Sequence, residues 1–317
     1  MEDFSILNKS QQKDSSMYGV IDVGSNTIRL CIYDVSGNEI YPMLNNKTTA
    51  GLAGYVKKGK MTKKGIQKAC DVLNKYREMM EHFPLKELFV FATASLRNIS
   101  NTDEALQTIT AETGLSIDVL TGYQEATFDF IGAAHSINLD RGLLLDIGGG
   151  STELLVYERG EIQNAVSLTF GSLSMFSNYV SGLFPTKKEK KEIEDVVKKE
   201  LKKIKFLNNK TFDNVIGIGG SIRAAKNMNN DIFEKSKDNS VIIAEDVPKL
   251  LKQFRGNENE VLKTVLKVSP DRVHTLIPGM IVMNAVCEYV ECKDIIMSPY
   301  GVREGYLYQK LFSEQLK

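Results

Sequence analysis

The chain is short of the residues that usually build soft-metal or disulfide chemistry. It has three His and four Cys in 317 residues. Cys31, Cys70, Cys287 and Cys292 have neither zinc-site spacing nor the pattern of a small stapled domain, so they read as reduced, mostly packed thiols. A His/Cys transition-metal centre is disfavoured, and any metal should be a hard cation held by carboxylates. Long apolar runs are missing too. No stretch approaches ~18 consecutive apolar residues, so no membrane span is expected. The opening Met1-Glu2-Asp3 leads into no basic-then-apolar segment, and the expected compartment is the cytoplasm. Net charge is also lacking: forty Lys and Arg cancel forty Asp and Glu. A uniformly cationic nucleic-acid or membrane binder is therefore disfavoured, and neither is an expected partner, although a local basic patch stays open. With 42% apolar and 25% charged residues, 24 Gly and 7 Pro, the composition is globular, and its length suggests two domains.

Residues 1–17 are polar and without period, and read as a flexible leader. A buried strand over Tyr18–Val23 stops at Gly24-Ser25-Asn26, and a second strand, Thr27–Tyr33, follows at once. Residues 63–82 read as a helix with Ile66, Ala69, Cys70, Leu73, Tyr76 and Met80 on one stripe. Leu88–Thr93 reads as a strand. Residues 101–112 read as a helix capped by Asn101 or Thr102. The Lys-rich segment 187–205 has apolar positions at helical spacing and reads as an amphipathic helix with a solvated face. A third buried strand, from Val215, runs into a Gly turn at Gly217–Ser221, with a helix from Ile222. Ile295–Ser298 is a short strand, and a closing helix starts at Arg303. Strands alternating with helices argue for an α/β fold.

The most informative feature is an internal repeat. Leu143–Tyr157 matches Val20–Tyr33 element by element, with Asp22 aligned to Asp146, Gly24 to Gly148, and Leu30 to Leu154. Each copy is an apolar strand ending in Asp, a tight Gly turn, then a strand of alternating character. Two domains of one topology, each pointing its turn at a shared cleft, is the simplest reading. Gly at such a turn lets backbone N–H groups approach a ligand without a Cβ in the way. Gly24-Ser25-Asn26-Thr27 and Gly148-Gly149-Gly150-Ser151-Thr152 therefore suit phosphate oxygens. A lone Gly turn is more often a plain hairpin, but two equivalent turns plus the one ending at Gly220-Ser221 favour phosphate. No P-loop Lys is present, and the first two turns lead into strands, so neither Walker A nor a dinucleotide fingerprint fits. Asp146 is positioned to hold Mg²⁺. For Asp22, a metal role and a turn-capping role are about equally weighted. At the aligned outward position the first copy has Arg29 and the second Glu153; opposite charges facing one cleft suit a phosphate clamp and a catalytic acid respectively.

These blocks resemble the exopolyphosphatase/guanosine pentaphosphate phosphohydrolase (Ppx/GppA) family. Further blocks agree in order: Ala92-Thr93-Ala94-Ser95-Leu96-Arg97, Leu120-Thr121-Gly122-Tyr123-Gln124-Glu125-Ala126, Gly217–Arg223 and Tyr300-Gly301-Val302-Arg303-Glu304-Gly305. The resemblance covers nearly the whole chain from Tyr18 and fits the short, two-domain members. It implies two ribonuclease-H-like domains of the actin/Hsp70/sugar-kinase superfamily flanking a cleft. Domain I would be 18–128 plus the helix at about 303–317, and domain II 129–302. It implies Mg²⁺-assisted release of the terminal phosphate of inorganic polyphosphate. Glu125 and Glu153 would be the catalytic glutamates, with Glu153 and Asp146 on the metal and Arg97 and Arg272 on the substrate. By itself Glu125 would read as a helix-capping or surface residue. Where members carry an Arg-Leu-Gly run, this chain has Gly51-Leu52, with Lys47 as the nearest cation. Hydrolysis of the 5′-phosphate of guanosine pentaphosphate, transfer to a nucleotide acceptor, a non-catalytic sensor and a homodimeric assembly all stay open.

Overall fold

A computed structural model describes residues 15–313. The first fourteen residues of the expected leader, and the chain beyond 313, lie outside the described residues. Strands β1 (Ser15–Val23), β2 (Thr27–Ser36) and β3 (Glu39–Thr49) form an antiparallel meander. A small ribbon, β4 (Val56–Lys57) with β5 (Lys60–Met61), leads into helix α1 (Lys63–Met80). Then come β6 (Leu85–Ala92), α2 (Ala94–Arg97), α3 (Thr102–Thr113), β7 (Asp118–Val119) and α4 (Gly122–Ala134). The first sheet has the order β3-β2-β1-β6-β7, with β6 parallel to β1 and β7 parallel to β6.

The second half repeats this plan. A meander of β8 (Arg141–Ile147), β9 (Thr152–Glu158) and β10 (Glu161–Leu168) is followed by α5 (Ser172–Tyr179), α6 (Lys187–Leu201), β11 (Asn214–Ile218) and α7 (Gly219–Ile232). β12 (Val241–Ile243), α8 (Asp246–Gln253), α9 (Glu258–Val268), α10 (Leu276–Tyr289), β13 (Asp294–Met297) and α11 (Val302–Phe312) complete it. The sheet order is β10-β9-β8-β11-β13-β12. Its first five strands reproduce the first sheet's order, with β11 and β13 parallel to β8 and β12 added antiparallel at the edge. Two copies of one ribonuclease-H-like topology are therefore present, as the repeat implies.

The elements follow their local sequence closely. The stripe expected on α1 is buried, and the Thr62 hydroxyl caps the helix by accepting from the Gly65 amide. On α6, Ile193, Val197 and Leu201 are buried while most of its Lys residues stay solvated. β1 starts at Ser15, earlier than the sequence suggests, because Ser15–Met17 pair with Asp34–Ser36 of β2. At α3 the Asn101 side chain does not cap the helix. It bridges the backbone of Met61 instead, accepting from the amide at 2.9 Å and donating to the carbonyl at 3.0 Å. The expected Gly turn after β11 is replaced by a direct strand-to-helix bend, since α7 begins at Gly219 itself. All four cysteines are free, three of them buried. Among the described residues no helix is long and apolar enough to cross a membrane.

α4 joins the two halves. Phe128 packs into a cluster with Tyr18, Phe91 and Tyr306 beside the first sheet. Ala126, Phe130 and Ala133 pack with Leu144, Leu155 and Ile216 of the second. The expected division at 128/129 falls inside this helix. α11 lies against α4, where a Cβ at Gly305 would collide with the Phe128 carbonyl, so the two helices touch backbone to backbone. This close packing holds the ends of β1 and β8 near one another.

Candidate active site

The two Asp–Gly bends are equivalent in detail. Asp22 pairs across its ladder with Arg29, and Asp146 pairs with Glu153. In each bend the first Gly amide donates to a carbonyl three residues on: Gly24 to Thr27 and Gly148 to Ser151, both at 3.0 Å. Each bend is also held from behind. The Ala53 amide donates to the Ser25 carbonyl, and the Ala50 and Gly51 amides to that of Asn26. The Ser172 amide donates to the Gly148 carbonyl, and the Leu173 and Ser174 amides to that of Gly149. The Ser25, Asn26, Gly149 and Gly150 amides have no protein acceptor among the described residues. Such fixed, unpaired N–H groups form an anion cradle. The bends also meet each other. A Cβ on Gly150 would lie 2.7 Å from Ser25 Oγ, and one on Gly149 would lie 3.5 Å from Asn26. Glycine at 150 is what lets the two halves approach this closely.

Three carboxylates converge behind the cradle. Glu125, Asp146 and Glu153 are buried, and one oxygen from each lies within 4.8 Å of the others. Glu125 reaches inward because its neighbour Gln124 does the capping: Gln124 and Thr121 form a reciprocal box at the start of α4. Arg97, at the end of α2, ties the group together. Its Nη1 is 2.5 Å from Glu125 Oε2 and 3.1 Å from the Leu120 carbonyl, and its Nη2 is 3.5 Å from Glu153 Oε1. Ser167 donates to Glu153 Oε1 at 2.7 Å. Glu153 Oε2 and Asp146 Oδ1 are buried with no partner. Burial raises all three carboxyls above their ordinary range. For Asp146, burial with the nearby Glu125 and Asp22 carboxylates brings the value to about 7. For Glu125 the Arg97 guanidinium opposes the rise. Partnerless buried oxygens in an all-carboxylate donor set fit a hard divalent cation.

Cations line the rest of the cleft, which has a volume of about 110 Å³. Arg29, Arg223, Arg272 and Arg303 line it together with Gly24–Thr27, Gly148–Ser151 and Gly220. Arg29 donates to Asn45 Oδ1 at 2.9 Å. Arg223 has no ion pair among the described residues, and burial followed by the other arginines lowers its guanidinium to about 10. Arg272 is paired with Asp271 and Arg303 with Asp22, while Arg29 and Arg223 have no carboxylate partner among the described residues; together they suit a polyanion. Gly219, at φ 84°, makes the bend into α7, and its Cα sits against Asp146 Oδ1 where no Cβ would fit. Gly220 likewise leaves room for the Arg272 guanidinium.

Not every residue expected here arrives. Asp22 lies outside the three-carboxylate group, because α11 brings Arg303 Nη1 to 3.3 Å from its Oδ2. Arg97, Thr152, Glu153 and Ser221 do not line the cleft, Arg97 and Glu153 lying behind Glu125. Thr152 donates to the buried Phe170 carbonyl at 2.8 Å, and Ser221 Oγ lies 3.2 Å from Ser172 Oγ. The sequence reading overlooked Asp129, and it gave Arg223 and Arg303 no role. Asp129 had a signal: it lies four residues after Glu125, and hence on the same face of α4, between two phenylalanines.

The model of the Ppx/GppA phosphatase family matches residues 31–314. The chain belongs to that family. The exopolyphosphatase 1 of Mycobacterium tuberculosis is 27% identical over 313 residues, covering 93% of this chain and 88% of that protein. The guanosine-5′-triphosphate,3′-diphosphate pyrophosphatase of Vibrio vulnificus is 25% identical over 305 residues, covering 95% of this chain but 61% of the relative. Among solved structures, an exopolyphosphatase from Cytophaga hutchinsonii superposes with a TM-score of 0.83 at 23% identity, covering 94% of this chain and 98% of that one. The Ppx/GppA family member of Aquifex aeolicus superposes at 0.77 with 24% identity, covering 95% and 99%. At that identity these two likenesses show the fold, which is the fold of Ppx/GppA proteins.

Proposed function

We propose that this chain hydrolyses the terminal phosphoanhydride bond of inorganic polyphosphate. The observation that carries the reading is the meeting of the two Asp–Gly bends beside three buried carboxylates and Arg97. Phosphoryl transfer needs positioning and charge neutralisation more than covalent help. The free amides of both bends would hold the oxygens of the terminal phosphate. Arg29, Arg223 and Arg272 would neutralise the chain behind it. Glu125, with one oxygen held by Arg97, would orient the attacking water and take its proton; a carboxylate raised by burial is a better base near neutral pH than an exposed one. Glu153, fixed by Ser167, and Asp146 would hold Mg²⁺, proposed because the donors are all carboxylate oxygens. The ion would supply Lewis-acid charge to the phosphate oxygens. A cytoplasmic setting and a homodimer belong to the same proposal.

The likeness to the Vibrio pyrophosphatase supports a second reading, removal of the 5′-terminal phosphate of guanosine pentaphosphate. The deciding experiment measures phosphate release from long polyphosphate, triphosphate and guanosine pentaphosphate in parallel with Mg²⁺. Release from polyphosphate at the highest kcat/KM supports the first reading. Preference for the nucleotide replaces it with the second, and formation of ATP from added ADP without release of free phosphate would make the protein a phosphotransferase.

A further inference from the structure

Asp129 is a buried carboxylate that the reading above leaves unused. It follows Glu125 by one helical turn on α4, so both side chains point the same way. It is fully buried yet lines the cleft, and neither of its oxygens has a hydrogen-bond partner. Its neighbours in sequence are Phe128 and Phe130, where an apolar residue would serve packing equally well. Left ionised, an unpaired buried carboxylate costs several kcal/mol, which a proton or a cation removes. The charges closest to it make matters worse. After burial itself, Asp146 and then Glu125 and Glu153 push its carboxyl well above the usual range.

Counting charges sharpens the point. Glu125, Asp129, Asp146 and Glu153 are four carboxylates, and Arg97 is the guanidinium paired within the group. Arg303 is committed to Asp22. One divalent ion together with Arg97 offsets three of the four negative charges and leaves one. The ion-sized group formed by Glu125, Asp146 and Glu153 does not include Asp129, so Asp129 lies to one side of it. Asp146 lines the same cavity as Asp129, and its Oδ1 is likewise buried and partnerless.

We infer that Asp129 and Asp146 hold a second divalent cation, next to the one proposed for Asp146 and Glu153, with Asp146 shared between the two. The inference rests on the hydrolase reading only in the chemistry it would serve, namely extra positive charge beside the terminal phosphate. The binding itself needs no substrate. The test is a titration of the full chain with Mn²⁺ alone, free ion being counted by electron paramagnetic resonance. The wild type should take up two ions and Asp129→Asn one. A single ion in the wild type, or two in the variant, overturns the inference. Should Asp129→Asn not fold, Asp129→Leu serves the same comparison, and the wild-type count stands without either. Absence of phosphate release from every substrate in the panel would defeat the hydrolase reading and leave the ion count unaffected.

Discussion

Asp146 makes the metal-free protein sensitive to pH in a direction opposite to ordinary acid denaturation. Its carboxyl titrates at about 7 in the folded chain against an ordinary value of 3.8, through burial and then the Glu125 and Asp22 carboxylates. Between those limits the folded state keeps a proton that the unfolded chain has released. Stability therefore falls as pH rises through that window, by at most about 1.4 kcal/mol per pH unit. From pH 5 to pH 7 the loss is on the order of 2–3 kcal/mol, which corresponds to several degrees of melting temperature. Asp22, Glu125, Asp129 and Glu153, also raised by burial, act in the same direction, and the acids held low by partners do not oppose it. Despite some burial, lysine partners hold Asp118, Asp246, Asp271 and Glu288 below their ordinary values. The stability those four contribute is complete above their unfolded pKa and is lost only in more acidic solution. The assay compares wild type with Asp146→Asn in chelator at pH 5, 6, 7 and 8. The variant should gain on the wild type up to pH 7 and hold that advantage above it. Because Glu125 and Glu153 titrate against Asp146, the difference reports the group as a whole. Saturating divalent ion should abolish the wild type's deficit. A difference that stays constant from pH 5 to pH 8 would refute the reasoning.

Further outcomes are expected from the site. Glu125→Gln should lower kcat for phosphate release by about 10²–10⁴-fold while polyphosphate binding, measured by competition, persists. Arg97→Lys keeps the charge but loses the fork that spans Glu125, Glu153 and the Leu120 carbonyl. It should lower kcat by roughly 10–100-fold, a loss of about 1–3 kcal/mol in charge-assisted hydrogen bonding. Gly219→Ala forces a Cβ onto Asp146 at a left-handed φ. It should destabilise the fold by about 1–3 kcal/mol and weaken Mn²⁺ uptake, read by melting and titration. Lys188 is exposed, with only a 3.7 Å pair to Glu192, and lies on the solvated side of α6. Lys188→Ala should leave turnover of long polyphosphate within about twofold; a larger loss would mean that this helix guides the substrate.

How far the site could be read varied residue by residue. Glu125 was indistinct from its own surroundings: a Glu beside a Gln at a helix start is ordinary, and only the capping by Gln124 in three dimensions explains why Glu125 turns inward. Thr152 and Ser221 have the right residue type in the right block, yet packing gives Thr152's hydroxyl to the Phe170 carbonyl and sets Ser221's against Ser172. Asp22 matched Asp146 in the repeat but met an arginine instead of joining the acids, because α11 has no counterpart in the local pattern that defines the repeat.

The sequence by itself determined the two strand–turn–strand units and the α1 and α6 stripes. Each of these is encoded within a few adjacent residues, through apolar period, glycine and composition. Tertiary structure alone decided that the two bends touch, that Arg97 spans two acids from different elements, and that Asp129, Arg223 and Arg303 reach the cleft. Those outcomes depend on how α4 and α11 pack between the sheets. That packing sums many weak contacts between residues far apart in the chain, so no short stretch of sequence carries it.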